Sequence, residues 1–178
     1  MLKFLAYAAL AVTVAIVVVL IIAAKKPDTF RVERKIVINA SPEKIQAEIN
    51  DFHRWQAWSP YENKDPQMKR SFSGAASGVG ARYGWEGDKN VGTGAMEITA
   101  STPEKTTIKL DFLQPFEAHN IAEFSFQPST AGTEVTWAMQ GPLPFFGKVM
   151  HVFFNMDKMV GGDFETGLAS LKAVAEKP

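Results

Sequence analysis

The sequence predicts an α+β protein: a curved antiparallel β-sheet wrapped around one long C-terminal helix, preceded by one transmembrane helix. Three observations carry this. An uncharged apolar run fills residues 4–24. Short segments with apolar residues at every second position follow one another through the middle of the chain, the period of half-buried strands. A single stripe of apolar residues three and four apart fills the C-terminal end, the period of an amphipathic helix.

The first element reads FLAYAALAVTVAIVVVLIIAA from Phe4 to Ala24. At 1.5 Å per residue such a run spans a hydrocarbon core of about 30 Å. A cleaved signal peptide competes with this reading, but its apolar stretch is usually about 7–15 residues and ends in a small-x-small site. Here the run is longer, Ile22 stands where a small residue is wanted, and Lys25 and Lys26 follow directly. The expectation is an uncleaved single-pass membrane protein, with residues 1–26 as anchor and flanks and residues 27–178 as one domain. Lys25, Lys26, Arg31, Arg34 and Lys35 follow the span, while only Lys3 and the terminal amine precede it. Counting Lys and Arg near the span favours a cytoplasmic domain, a bias diluted where those residues belong to a folded strand.

After the linker KKPDT, Val32, Ile36 and Ile38 mark a strand with one wet face. Ser41-Pro42-Glu43 opens a helix: Ser41 caps, Pro42 takes the first helical position, and Glu43 suits the dipole. Ile45, Ile49 and Phe52 continue it, and HRWQAWSPY reads as a second short helix stopped at Pro60. Six short strands then alternate with turns: MKRSFSG, ARYGWEG, GAMEITAST, TIKLDF, HNIAEFSFQP and TEVTWAMQG. After GPLPFFG a final helix is expected from about Gly147 to Glu176, its stripe running Val149, Phe153, Met156, Val160, Phe164, Leu168, Leu171 and Ala175.

Composition excludes several chemistries. Lys plus Arg and Asp plus Glu are 19 each, and the basic residues are scattered, so no nucleic-acid groove is indicated. With no cysteine, disulfides, zinc–thiolate sites and thiol nucleophiles are absent. His53, His119 and His151 stand at no metal-ligand spacing, so no metal or cofactor is expected. The glycine-rich SGAASGVGARYG lacks the dinucleotide order and precedes a strand.

The order of elements resembles the SRPBCC superfamily, the helix-grip fold of START lipid-transfer domains, polyketide cyclase/dehydrase-like proteins and birch-pollen-allergen relatives. RKIVINASPEKI, DFHRWQAWSPY, GTGAMEITAS, GTEVTWAMQG and GLASLKAVAE carry the resemblance, which covers about residues 30–176. It implies a deep apolar cavity between sheet and C-terminal helix, used by members to bind lipids, sterols, polyketides or hormones. Only some members catalyse a reaction.

Alternation places Tyr83, Trp85, Asn120 and Trp137 on inward faces. Their polar tips are either satisfied by backbone inside an ordinary core or aimed at an apolar ligand. Trp58, Met96, Phe112, Met139, Phe153, Met156, Val160 and Phe164 complete the expected cavity lining. Methionines, Met159 among them, suit irregular surfaces. Glu97, Asp111 and Glu123 fall on the wet face, whereas Glu86, Glu117 and His119 stand near strand ends, at a cavity rim. Gly161 and Gly162 interrupt the last helix at roughly 1 kcal/mol each, and a hinge for ligand entry is the expectation.

The favoured function is a membrane-anchored binding module for a hydrophobic small molecule or lipid. The alternative is a polyketide cyclase/dehydratase-like or hydrolase-type enzyme with Tyr83, Glu117 or His119 as acid–base group. A protein-partner module is the third reading, and the sequence does not give the oligomeric state.

Overall fold

The computed structural model describes residues 1–177, the side chain of Leu2 apart. The first helix, α1 (Leu2–Ala24), contains the segment Lys3–Ala24, long and apolar enough to cross a membrane, with a mean hydropathy of 2.9. Strand β1 (Thr29–Ile38) follows, then α2 (Pro42–Asn50), a 3-10 turn (Phe52–Ala57) and α3 (Pro60–Lys64). Six strands come next: β2 (Lys69–Gly74), β3 (Ala81–Glu86), β4 (Thr93–Thr102), β5 (Lys105–Gln114), β6 (Ala118–Ser129) and β7 (Gly132–Pro142). Two helices close the chain, α4 (Phe145–Phe153) and α5 (Met156–Ala175).

Among the described residues the strands form one sheet in the order β1-β7-β6-β5-β4-β3-β2, antiparallel throughout. Only β1 leaves its sequence neighbour, crossing to pair with β7. One face of the sheet is apolar, and α5 lies along it over β1 and β7. The fold is thus α+β, of the helix-grip kind.

Local chemistry sets the helix starts. Ser41 accepts a hydrogen bond from the Lys44 N–H and is followed by Pro42, as its sequence signature requires. Ser59-Pro60 repeats that pairing, so Pro60 opens α3 instead of stopping a helix. The expected single C-terminal helix is divided. Asn155 has left the helical conformation, and its side chain accepts from the Lys158 N–H at 2.9 Å, so it caps a new helix. The apolar stripe continues across this cap, which hid the break.

The core lies between the apolar face and α5. Phe124, Phe164, Leu168, Leu171, Ile45 and Ile49 are all fully or almost fully buried. Burial of each such side chain is worth about 1.5–3 kcal/mol. Gly167 sets how close α5 comes. A β-carbon there would lie 2.7 Å from the Trp137 ring and 2.8 Å from Pro60.

Candidate functional site

Pleat alternation turns Tyr83, Trp85, Met96, Phe112, Asn120, Trp137 and Met139 to the inner face, as their spacing predicts. The interior directly under α5 is filled. Trp137 stacks on Phe164 at 4.2 Å and on Phe124 at 4.9 Å, and Trp58 meets Trp137 edge-on at 5.7 Å. Trp58, Trp137 and Phe164 therefore come together as packed core. Tyr83, Trp85 and Phe112 form a second aromatic row toward the β2 edge, with ring separations of 6.1 and 5.8 Å.

The polar tips of these aromatics divide into two sets. Trp55, Trp58 and Trp85 donate to the backbone carbonyls of Ile49, Glu48 and Val91. Tyr83 donates to Glu62 Oε1 at 2.8 Å, and Arg70 Nε donates to Glu62 Oε2 at 2.7 Å. Burial, then the Glu62 hydrogen bond and charge, push the Tyr83 phenol well above its ordinary range. Glu62 and Arg70 carried no sequence signal: α3 is too short for a period, and Arg70 lies on an edge strand.

Two tips have no partner. Asn120 Oδ1 accepts, and Trp137 Nε1 donates, no hydrogen bond among the described residues, in side chains 6 % and 3 % exposed. Native interiors rarely leave such atoms unpaired, because each costs about 1–3 kcal/mol. Gly141 makes room for the first: a β-carbon there would lie 2.0 Å from Asn120 Oδ1. Asn120 stands on the Gly141–Phe30 rung, near the end of the sheet that α1 enters, and Trp137 is four residues further along β7. That separation is roughly 13 Å of strand.

A groove of about 500 Å³ opens beside the same rung. Phe30 and Val32 of β1 form one wall, with His151, Phe153, Asn155 and Met156 of the α4–α5 junction opposite. Burial and the nearby Lys26 charge push the His151 imidazole below its ordinary range. Phe153 was expected inside the sheet–helix cavity. It is instead 63 % exposed on this groove, because α4 turns away from the sheet to pack on α1. Met156 joins it there, whereas Val160 is half-buried against the core.

The glycine pair lies in unbroken helix. Arg34, alone among the charges of β1, points to the inner side, where every N–H of its guanidinium is used. It donates to Asp157 (both carboxylate oxygens and the carbonyl), to Glu165 Oε1 at 2.6 Å, and to the Glu33 carbonyl. A β-carbon on Gly161 would lie 2.1 Å from Arg34 Nη2, while nothing lies within 4 Å of the same position on Gly162. Gly161 thus has a close-approach reason, and Arg34 ties together Asp157 and Glu165 on either side of the pair. The signal was the even position of Arg34 among Val32, Ile36 and Ile38.

The carboxylates expected on the wet face lie there in ion pairs: Glu97 with Arg82, Asp111 with Lys109, Glu123 with Lys105. His119 joins Asp111 at 2.7 Å and Glu117 at 3.2 Å on the outer face, and the Asp111 hydrogen bond leads in raising its pKa. Glu86 is exposed. Among the described residues no three His, Asp or Glu side chains converge as a metal site.

This geometry has known counterparts. A protein from Chromobacterium violaceum superposes with a TM-score of 0.58 at 16 % identity, over 85 % of this chain and 100 % of its own. The Aha1 dimer from Colwellia psychrerythraea gives 0.57 at 18 % identity, over 83 % of this chain and 96 % of that one. The di-domain ARO/CYC StfQ from the steffimycin biosynthetic pathway gives 0.61 at 12 % identity, over 83 % of this chain and 51 % of that one. At these identities the likeness is one of fold. No curated protein sequence matches the chain. A family model described as polyketide cyclase / dehydrase and lipid transport matches residues 29–176, from the start of β1 to the end of α5. The chain belongs to that family.

Proposed function

We propose that this protein binds a hydrophobic small molecule or lipid on the inner face of the sheet and is tethered to a membrane by α1. The observation that carries the binding reading is the pair of unpartnered buried atoms, Asn120 Oδ1 and Trp137 Nε1. One accepts and the other donates, on two rungs of the inner face with Met139 between them, so each suits a polar group of a mostly apolar molecule. The groove beside Phe30 and Met156 is its entrance. The hinge expected at Gly161 and Gly162 enters this proposal as a latched one, since Arg34 bridges the helix across it.

The tether is supported by the length and hydropathy of α1 and by its packing on α4, in which Ala23 is fully buried. A cleaved leader would take that contact with it. Lys25 and Lys26 favour placement of the domain in the cytoplasm.

Titration of the full chain in detergent with a long-chain fatty acid or a sterol, followed by tryptophan fluorescence, tests the reading. Saturable binding is expected, weakened about tenfold in Asn120→Leu, the equivalent of about 1.4 kcal/mol. Saturable binding of wild-type strength in both Asn120→Leu and Trp137→Ala would place the site elsewhere.

A second reading, a cyclase- or dehydratase-type reaction, is favoured by the Tyr83–Glu62 pair at 2.8 Å. Tyr83→Phe decides between the two. Binding that survives this change, with no turnover of a poly-β-ketone by the wild type, supports the first.

A further inference from the structure

Helix α4 has the wrong polarity for a soluble surface helix. Its one lysine, Lys148, is 8 % exposed and pairs with Asp28 at 2.5 Å, while Phe145, Phe146 and Phe153 face outward. A surface helix of a soluble domain turns its apolar stripe to the core and its charges to water. Phe154, just past the helix, is exposed as well. The end of β5 and the turn into β6 extend the patch with exposed Leu113 and Phe116, and the Phe116 ring lies 5.8 Å from that of Phe146. Single exposed apolar residues need no explanation, but a contiguous group marks a binding surface.

The position of the patch says what it meets. Helix α4 packs beside the last two turns of α1, where Val19 and Ala23, four residues apart, are shielded along one side, as is Lys26 just past the helix. Val19 to Ala23 cover about 6 Å of helix axis, the end of the apolar run. Two bonds to the linker hold α4 in place: Lys148 to the Asp28 carboxylate, and the Leu143 N–H to the Asp28 carbonyl at 2.7 Å. Where α1 spans a bilayer, α4 is therefore set at the boundary of headgroups and acyl chains.

We propose that α4 and the β5–β6 turn form a seat in the membrane interface, with a lipid surface as the partner that covers their phenylalanines. This rests on the reading of α1 as a retained membrane span. Apolar faces of interfacial helices lie about 5–10 Å into the headgroup–acyl boundary, a depth that phenylalanines on one helix side can fill. The seat turns the α1 end of the sheet, with Phe30, Gly141 and Asn120, toward the bilayer. The groove then opens at the membrane surface, and an apolar ligand passes from lipid to protein without crossing water.

The absence of cysteine makes the test direct. Full-length protein carrying Phe146→Cys, Phe153→Cys or, at the far end of the sheet, Thr130→Cys is labelled with an environment-sensitive dye and reconstituted into phosphatidylcholine vesicles. Labels at 146 and 153 are expected to be quenched by brominated acyl chains and to be several-fold less accessible to iodide than the label at 130. If the protein resists alkaline extraction while labels at 146 and 153 are as open to iodide as that at 130, the anchor stands and the seat is wrong. Protection from iodide without quenching by brominated lipid means that a protein partner or second copy covers the patch, which also overturns the lipid seat. Release by alkali removes the anchor reading, and the seat with it.

Discussion

Asn120 is placed by its strand, its Cβ pointing inward by pleat alternation, and accommodated by Gly141 opposite. Its amide oxygen nevertheless lacks a partner, as does the Trp137 N–H. On the proposed reading a bound ligand supplies the missing partner. Asn120→Leu is therefore expected to raise the unfolding free energy of the ligand-free protein by about 1 kcal/mol while it weakens binding; thermal denaturation beside the ligand titration measures both. A purely structural Asn120 would give lower stability and unchanged affinity. On the outer face His119 offers a pH handle. Asp111 and then Glu117 raise its folded-state pKa above the ordinary 6.5, which burial opposes. Its ion pairs thus stabilise the fold fully below pH 6.5, and that contribution disappears as pH rises through the higher folded value. The stability difference between wild type and His119→Asn should shrink over that interval; a difference constant with pH would show that the contact contributes nothing. Alternation along β6 and β7 sets the inward direction of Asn120 and Trp137 but not their lack of partners, because partners come from other elements. Glu62 stayed unread for the same reason: Tyr83 and Arg70 reach it from strands that the sequence does not place next to α3.

Helix α5 shows the same division among elements. Its stripe from Phe164 to Ala175 was readable because one face meets one apolar surface. The stripe before it continued into α4, which packs on α1 with its phenylalanines facing outward, so a single periodicity covered two helices. Asn155 held the missing signal, a capping residue three positions before Lys158. The two glycines, alike in sequence, are separated by their surroundings. Gly162→Ala fills open space and should raise stability by up to about 1 kcal/mol. Gly161→Ala has the same propensity gain, but the Arg34 guanidinium must leave Asp157 to admit the methyl group, so this variant should be the less stable of the two. Chemical denaturation of both single variants measures the difference. Equal gains would mean that the Arg34 clamp does not constrain the helix.

At the scale of the whole molecule, the sheet order brings the start of β1, the end of β7 and the start of β6 to one end, where α1 and α4 also lie. The strand count, the antiparallel sheet and the grip of a C-terminal helix followed from period and turn spacing, since each strand has a single buried face. The filled aromatic interior beneath α5 did not follow. A hollow and a packed interior need the same apolar alternation, and only the depth set by Gly167 and the stacking of Trp137 on Phe164 separates them. The groove lined by Phe30 and Met156 lies at the α1 end, beside the Gly141 rung. Native mass spectrometry of the full chain, extracted from membranes in a mild detergent, tests this account most directly. A co-purifying hydrophobic molecule is predicted on the wild type, displaced by added fatty acid and largely lost in Asn120→Leu. Folded wild-type protein that carries no such molecule and takes up none when it is supplied, or an Asn120→Leu variant loaded to the same extent, would contradict it.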